Sequence, residues 1–423
     1  GKADATENWS SDCAPRPVRS CFNCTLGESW GWKASEGQSG RCTMRQVCID
    51  PGVTRAELFG VRPTEKWPRQ IITPHFRAEE LRYNFSAPQG SYHEAIKSVS
   101  GLSVKGTVFA MQVQYQGGEF FHLLADHMAG FFLMVSEARE EPLPRPHYAL
   151  LPFSLKSQAP QIRALWQALL DGLGMQELPR AEGPVCPAAL VAGTRTRHME
   201  MHLATPATKE QLVDFTAAIR RGLGTIDRRS RHPLPAKEWK ILLVQRRTSN
   251  RQLLNFPELR EALVRLPKVH VETVVYENLT TAESAARTRQ AHVLLCYHGA
   301  GCTNLMWLQS PSVVIEIFPF NWRLDCYKAL AEGLGLLHLA WSNPNPFTFD
   351  TDETLDEYEF YTSPKFKQLM PISQHRVLMC MTASPTHATE SWYWYCQRQN
   401  TYVDVEAVRK LVIQGLNWLS AKE

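Results

Sequence analysis

A chain of 423 residues that sets 46 lysines and arginines against 42 acids, for a net charge of +4 with no long basic run, carries no nucleic-acid signature. Hydrophobic and aromatic contents of 44% and 10% exclude a disordered chain, and no stretch approaches the roughly 18–20 uncharged apolar residues of a membrane span. The length exceeds one ordinary core, so two domains of about 150–200 residues are the default.

The first 60 residues hold five of the eleven cysteines, Cys13, Cys21, Cys24, Cys42 and Cys48, among Gly, Ser, Pro and Trp. A segment so poor in core needs cross-links, and disulfides are expected. Zinc is the competing reading, since Cys21-x-x-Cys24 has metal-like spacing, but no second CxxC or paired HxxxH follows at a zinc-like distance. Four N-x-S/T sequons, at Asn8, Asn23, Asn84 and Asn278, join the cysteines in pointing to the secretory pathway. Gly1-Lys2-Ala3-Asp4 is not a charged-then-apolar leader, which suggests a trimmed lumenal polypeptide. The odd cysteine count leaves a thiol over unless it pairs between chains. Cys296, inside an apolar strand, is expected to be an inert buried thiol.

From Gln70 to about Ser230 strands and helices mix. The spacing predicts a strand over Val104–Tyr115, a turn at Gly117-Gly118 and a helix over Glu119–Ala138. A short strand is predicted at Tyr148–Phe153, then amphipathic helices at Gln161–Leu173 and Lys209–Leu223, the second N-capped by Thr208. Arg228–Lys237, with its prolines and basic residues, reads as an interdomain linker. Beyond it strand and helix alternate: strand Trp239–Val244, helix Phe256–Leu266, strand Val269–Val275, helix Thr281–Gln290, strand His292–Tyr297. A glycine turn, a helix starting near Cys302 and a strand Val313–Phe318, stopped by Pro319, complete the run. This alternation predicts an α/β fold with a parallel, Rossmann-like sheet, in which ligands bind beyond the carboxyl ends of the strands. A last helix is predicted over Val403–Leu419. The expected divisions are 1–60, 61–230, 231–400 and 401–423.

Four groups of residues could carry chemistry. The turn His298-Gly299-Ala300-Gly301 joins a strand to a helix, where free N–H groups and the positive helix end suit a phosphate; the alternative is an ordinary βα turn. The loop Gln245-Arg246-Arg247-Thr248-Ser249-Asn250-Arg251, followed by Asn255, lies at the same sheet edge. Guanidinium forks match phosphate oxygens, although many charge runs are only solvated loops. Glu316 either accepts hydrogen bonds from ribose hydroxyls or is an exposed acid near a strand end. On an otherwise apolar helix His122 and Asp126, four apart, share a face: Asp126 is either a general base oriented by His122 or half of a satisfied core pair, with His127 beside it. Asp350-Thr351-Asp352 has metal-like spacing but lies in an acidic loop, and no metal site is expected.

Together these stretches resemble glycosyltransferase family 61. The resemblance rests on His122–Asp126, on the arginine stretch Val244–Asn255, on His298-Gly299-Ala300-Gly301-Cys302-Thr303-Asn304, and on Ser312-Val313-Val314-Ile315-Glu316-Ile317. Residues 1–60 match nothing in that pattern. Cys302 stands where the family usually has leucine, and is expected to serve packing. The resemblance implies two Rossmann-like domains facing a cleft (GT-B), a UDP-sugar donor, inversion at the anomeric carbon, and a Golgi or endoplasmic-reticulum enzyme of type II topology. The donor would be held in 231–400 by Arg246, Arg247, Arg251, Asn255, His298, Gly299, Ala300, Gly301, Thr303, Asn304 and Glu316. The acceptor, a glycan or protein hydroxyl, would meet Asp126 and His122 in 61–230. No cofactor or metal is expected, no nucleic acid, and no membrane contact except through an N-terminal anchor absent from this chain. Family members include plant xylosyltransferases and animal GlcNAc transferases, and xylose is placed ahead of GlcNAc here. The alternative is a non-catalytic lumenal glycan-binding protein of the same fold. A hydrolase is disfavoured, because no GxSxG elbow occurs.

Overall fold

The computed structural model describes residues 8–10, 21–26, 40–45, 47–50, 55–58, 70–73, 81–86, 102–110, 120–139, 141–151, 153–179, 185–192, 208–224, 238–247, 250–344, 397 and 399–422. The chain forms two compact units, Gly1–Ile226 and Asp227–Glu423. The predicted linker Arg228–Lys237 and the Asp350–Asp352 loop lie outside the described residues.

The first unit is built on a mixed eleven-stranded sheet. Val185–Ala192 runs parallel to Leu102–Ala110, which runs parallel to His147–Leu150. Gly40–Arg45 and Val47–Asp50 pair antiparallel to Val185–Ala192, so the cysteine-rich segment supplies strands to the same sheet. Disulfides form as expected at Cys42 and Cys48, and Cys48 bonds to Cys186. The side chains of Cys13, Cys21 and Cys24 lie outside the described residues. Nothing in the sequence pattern marks Val185–Ala192, because a strand buried on both faces loses the two-residue alternation.

The predicted helix at Glu119–Ala138 forms over Phe120–Ala138, with a π turn at Leu123–Met128. Phe121, Leu123–Ala125 and His127–Val135 are buried, as the apolar length of a core helix must be. Phe131 meets Trp166 edge-on at 5.7 Å, and Phe132 meets Phe215 at 5.6 Å. The helices Pro160–Leu173 and Lys209–Gly222 pack so closely that a Cβ on Gly172 or Gly222 would collide with the carbonyl oxygen of Ala218 or Ala168. Thr208 caps the second helix as predicted, in a reciprocal pair with Gln211 that contributes about 1 kcal/mol.

The second unit holds five parallel strands in the spatial order Val269–Val274, Trp239–Val244, Val293–Tyr297, Val313–Phe318, Leu337–Ser342. In chain order this is 2-1-3-4-5, a Rossmann-like winding whose direction reverses between Trp239–Val244 and Val293–Tyr297. Ligands favour that crevice, beyond the carboxyl strand ends. Alternate residues Ile241, Leu243, Val293, Leu295, Val313, Ile315 and Ile317 pack against Leu259 and Leu263 of the helix Phe256–Val264. Val408, Val412 and Leu419 of the terminal helix Val405–Ser420 complete this layer. Each such side chain contributes about 1.5–3 kcal/mol when fully buried, and together they set the sheet edge that carries the candidate site. The opposite pleat carries Cys296, Glu316 and His338. The helix Cys326–Gly333 and the strand Leu337–Ser342 lay beyond the sequence reading.

Candidate functional site

The strand Trp239–Val244 delivers Arg246, and Val293–Tyr297 delivers His298 and Gly299, at the carboxyl edge where the winding reverses. Gly299 sits at φ 143°, ψ −174°, a region essentially closed to any other residue. Its bare Cα leaves room for two guanidiniums. A Cβ there would collide with Arg246 Nη1 and lie 2.8 Å from Arg251 Nη1. The arginine loop and the glycine turn, 53 residues apart from Arg246 to Gly299, therefore form one site. Burial first, and then the like charge of Arg251, lowers the Arg246 pKa to about 10. Two half-buried cations held together repel, and an anion between them would relieve that cost. Arg246, Arg251, Gln252, Leu253, Phe256 and Tyr297 line a pocket there. Arg247 points to solvent, which separates it from this pair. Thr248 and Ser249 lie outside the described residues.

Several of the expected donor contacts are occupied within the fold. The Asn255 amide donates to the Val403 carbonyl (3.0 Å) and accepts from the Val403 N–H (2.9 Å), so it ties the chain end to the arginine loop. Tyr297 Oη donates to Gln399 O at 2.6 Å, and Gln252 N–H to Asn400 Oδ1 at 2.9 Å. Sequence reasoning missed this 399–403 brace, as its partners lie about 100–150 positions away with no periodic signal. Ala300 and Gly301 open a 3₁₀ helix, Ala300–Trp307, in place of the helix expected from Cys302. Asn304 explains the tight winding: its amide donates to Gly301 O and accepts from Trp307 Nε1, both at 3.1 Å. Thr303, fully buried, lies 3.4 Å from Tyr327 Oη. These two residues shape the turn from within.

The expectation of an inert Cys296 thiol and a packing Cys302 is corrected: the two form a disulfide across the His298-Gly299-Ala300-Gly301 turn. A strand end and the first turn of the next helix bring i and i+6 within bonding reach, which the strand pattern alone does not show. Replacing both cysteines by alanine should lower unfolding stability by about 2 kcal/mol on the loop-closure argument, read as a shifted urea midpoint. An unchanged midpoint would remove the staple from the stability of the turn.

Glu316 is neither an exposed strand-end acid nor an open ribose acceptor. It is wholly buried, with Oε1 2.5 Å from His298 Nδ1 and Oε2 2.7 Å from His338 Nε2. Burial pushes its carboxyl well above the usual range. Burial, joined by Arg251 and Arg246, pushes His298 well below its usual value. The contacts are therefore hydrogen bonds between groups driven toward their uncharged forms. His338, which the sequence reading missed, comes from the unpredicted strand Leu337–Ser342.

In the first unit the π turn keeps His122 and Asp126 about one turn apart, and such turns recur at functional sites. His122 is half-buried against the Phe121 ring at 5.5 Å, and His127 is buried. The Asp126 side chain lies outside the described residues.

Residues 120–315 match the family model for glycosyltransferase 61. The resemblance read from the motifs is thus borne out. The chain is 35% identical over 107 residues to an EGF domain-specific O-linked N-acetylglucosamine transferase of Drosophila melanogaster, covering 25% of this chain and 20% of that protein. It is 33% identical over 112 residues to the human protein O-linked-mannose beta-1,4-N-acetylglucosaminyltransferase 2, covering 25% of this chain and 19% of that one. A Gallus gallus EGF domain-specific O-linked N-acetylglucosamine transferase matches at 26% over 159 residues, 36% of this chain and 29% of the relative. The matches thus span about a fifth to under a third of these relatives' lengths. Among the described residues no helix is long and apolar enough to cross a membrane.

Proposed function

We propose that the chain is an inverting, UDP-sugar-dependent glycosyltransferase of the secretory pathway, acting on a glycan or protein hydroxyl. The observation that carries this reading is the convergence of Arg246 and Arg251 on Gly299 at the reversal of the sheet. A diphosphate leaving group gains negative charge as its bond to the sugar breaks, and paired guanidiniums offset that charge. The two units are read as the two halves of a GT-B enzyme, with Asp126 as the base that deprotonates the acceptor. The named relatives transfer N-acetylglucosamine, so UDP-GlcNAc becomes the first donor to try, with UDP-xylose second.

Calorimetry of UDP in EDTA tests the donor site. Binding without divalent metal is expected, since two arginines supply the charge. Binding only after metal is added would overturn the metal-free reading, and no binding in either condition would overturn the donor site. A UDP-release screen over UDP-GlcNAc, UDP-xylose, UDP-arabinose and UDP-glucose with glycoprotein acceptors then identifies the sugar. Binding without release on any of them would favour the glycan-binding alternative.

A further inference from the structure

Behind Gly299 the sheet holds a polar chain in an otherwise apolar layer. His298, Glu316 and His338 come from three adjacent strands or strand ends, and their side chains are at most 3% exposed. Glu316 is aligned with Cys296 on one neighbour and Ala340 on the other, so His298 and His338, each two residues from those positions, lie on its pleat. Each carboxyl oxygen meets one ring nitrogen, at 2.5 and 2.7 Å. The His298 ring is also fixed in plane: Phe318 stacks on it at 5.3 Å, while Trp322 and Tyr327 stand edge-on at 4.5 and 5.0 Å. Its backbone N–H donates to Ile317 O at 2.8 Å. A histidine held on every side, with Nδ1 committed to Glu316, has only Nε2 left for a ligand.

We propose that His338, acting through Glu316, is a positioning residue that keeps the His298 ring uncharged and in one orientation beside the Arg246–Arg251 pair. The proposal rests on the donor-site reading above and names the device that fixes the residue next to Gly299, against which the two arginines lie. A buried carboxyl needs a partner on each oxygen, and a half-satisfied network is costly. Without His338, the freed Glu316 oxygen loses its partner in the fold and turns to water, and its hold on His298 loosens. The charged and titratable groups facing this chain are Arg246 and Arg251 from the arginine loop and Tyr327 from the Cys326–Gly333 helix. Arg323, Asp325 and Lys328 face the Glu316–His338 end. Cations outnumber acids on both sides, which adds to burial in disfavouring an imidazolium; His338 itself is lowered to about 4.

The full chain, labelled with ¹⁵N-histidine, gives the first test by NMR, with His298→Asn assigning the signal. The wild-type His298 ring should hold one protonated nitrogen and not titrate between about pH 5.5 and 8.5, whereas a titration near the usual value of about 6.5 overturns the proposal. His338→Leu removes the partner of the second Glu316 oxygen and should restore titration of His298. It should also weaken UDP binding by about tenfold, by analogy with the loss when a metal-ligating histidine is deprived of its orienting partner. His338→Gln keeps an N–H within reach of Glu316 and should recover most of both signals. If His338→Leu and His338→Gln leave the His298 signal and UDP affinity as in the wild type, the proposal is overturned. Should His338→Leu fail to fold by circular dichroism, the wild-type titration decides. A wild-type chain that binds no UDP would overturn the donor-site reading, while the ring titration would still judge the His338–Glu316–His298 link.

Discussion

Gly299→Ala is expected to cut UDP affinity by on the order of 10²-fold or more while the protein stays folded. Two effects combine. The Gly299 backbone lies in a region that costs a side chain about 1–3 kcal/mol. The added methyl also falls on Arg246 Nη1 and lies 2.8 Å from Arg251 Nη1, so both guanidiniums must shift away from Gly299 and from the diphosphate they would hold. Each charge-assisted bond to a diphosphate contributes about 1.5–3 kcal/mol, and losing two accounts for the predicted factor. Gly174→Ala is the control: it has φ 68° but open space around its Cβ, so it tests strain without touching an arginine. Calorimetry with UDP on both variants, alongside their thermal midpoints, separates the effects. If Gly299→Ala binds UDP as tightly as the wild type, the arginine pair is not the phosphate site. On the same geometry Arg246→Ala and Arg251→Ala should each weaken binding by about 1.5–3 kcal/mol, with the solvent-facing Arg247→Ala well below that.

Asp126→Asn should reduce turnover by roughly 10²-fold or more and leave UDP affinity intact. Inversion requires a group that takes the acceptor proton on the face away from the leaving UDP, and a positioned carboxylate supplies about 10²–10⁴-fold of rate. Asparagine keeps the shape of aspartate but cannot accept the proton, and the phosphate-binding residues proposed here all lie in the other unit. Such a variant isolates the proton transfer from folding and donor binding. Turnover is measured as UDP release under saturating donor, with affinity measured separately. Near-wild-type turnover would remove Asp126 from the mechanism and turn attention to His122 and His127.

The second unit was legible nearly strand by strand. Trp239–Val244 and Val313–Phe318 form over the residues expected, and the helices Phe256–Val264 and Thr281–Arg289 differ from expectation only at their ends, while a 3₁₀ helix replaces the one expected from Cys302. Strong local signals explain this. Asn255 precedes the helix that begins at Phe256, and Thr280 caps the next through a reciprocal pair with Glu283. Val185–Ala192 and Leu337–Ser342 escaped for opposite reasons. The first is buried on both faces and shows no alternation, while the second is half-buried along its length and short of contrast.

The candidate site divides along the same physical line. Local order dictated the arginine run, the glycine turn and the acid in the next strand, because backbone preference and strand period act over a few residues. Which of those side chains meet was left to the sheet. Parallel pairing brings Arg246 and Arg251 to Gly299, turns Glu316 inward between His298 and His338, and closes Cys296 on Cys302. It also commits Asn255 to Val403, 148 residues away. Such contacts depend on strand order and on the parity of the pleat across neighbouring strands. Neither is written in the spacing of a single segment, because both arise only when separate segments pair and exclude water together.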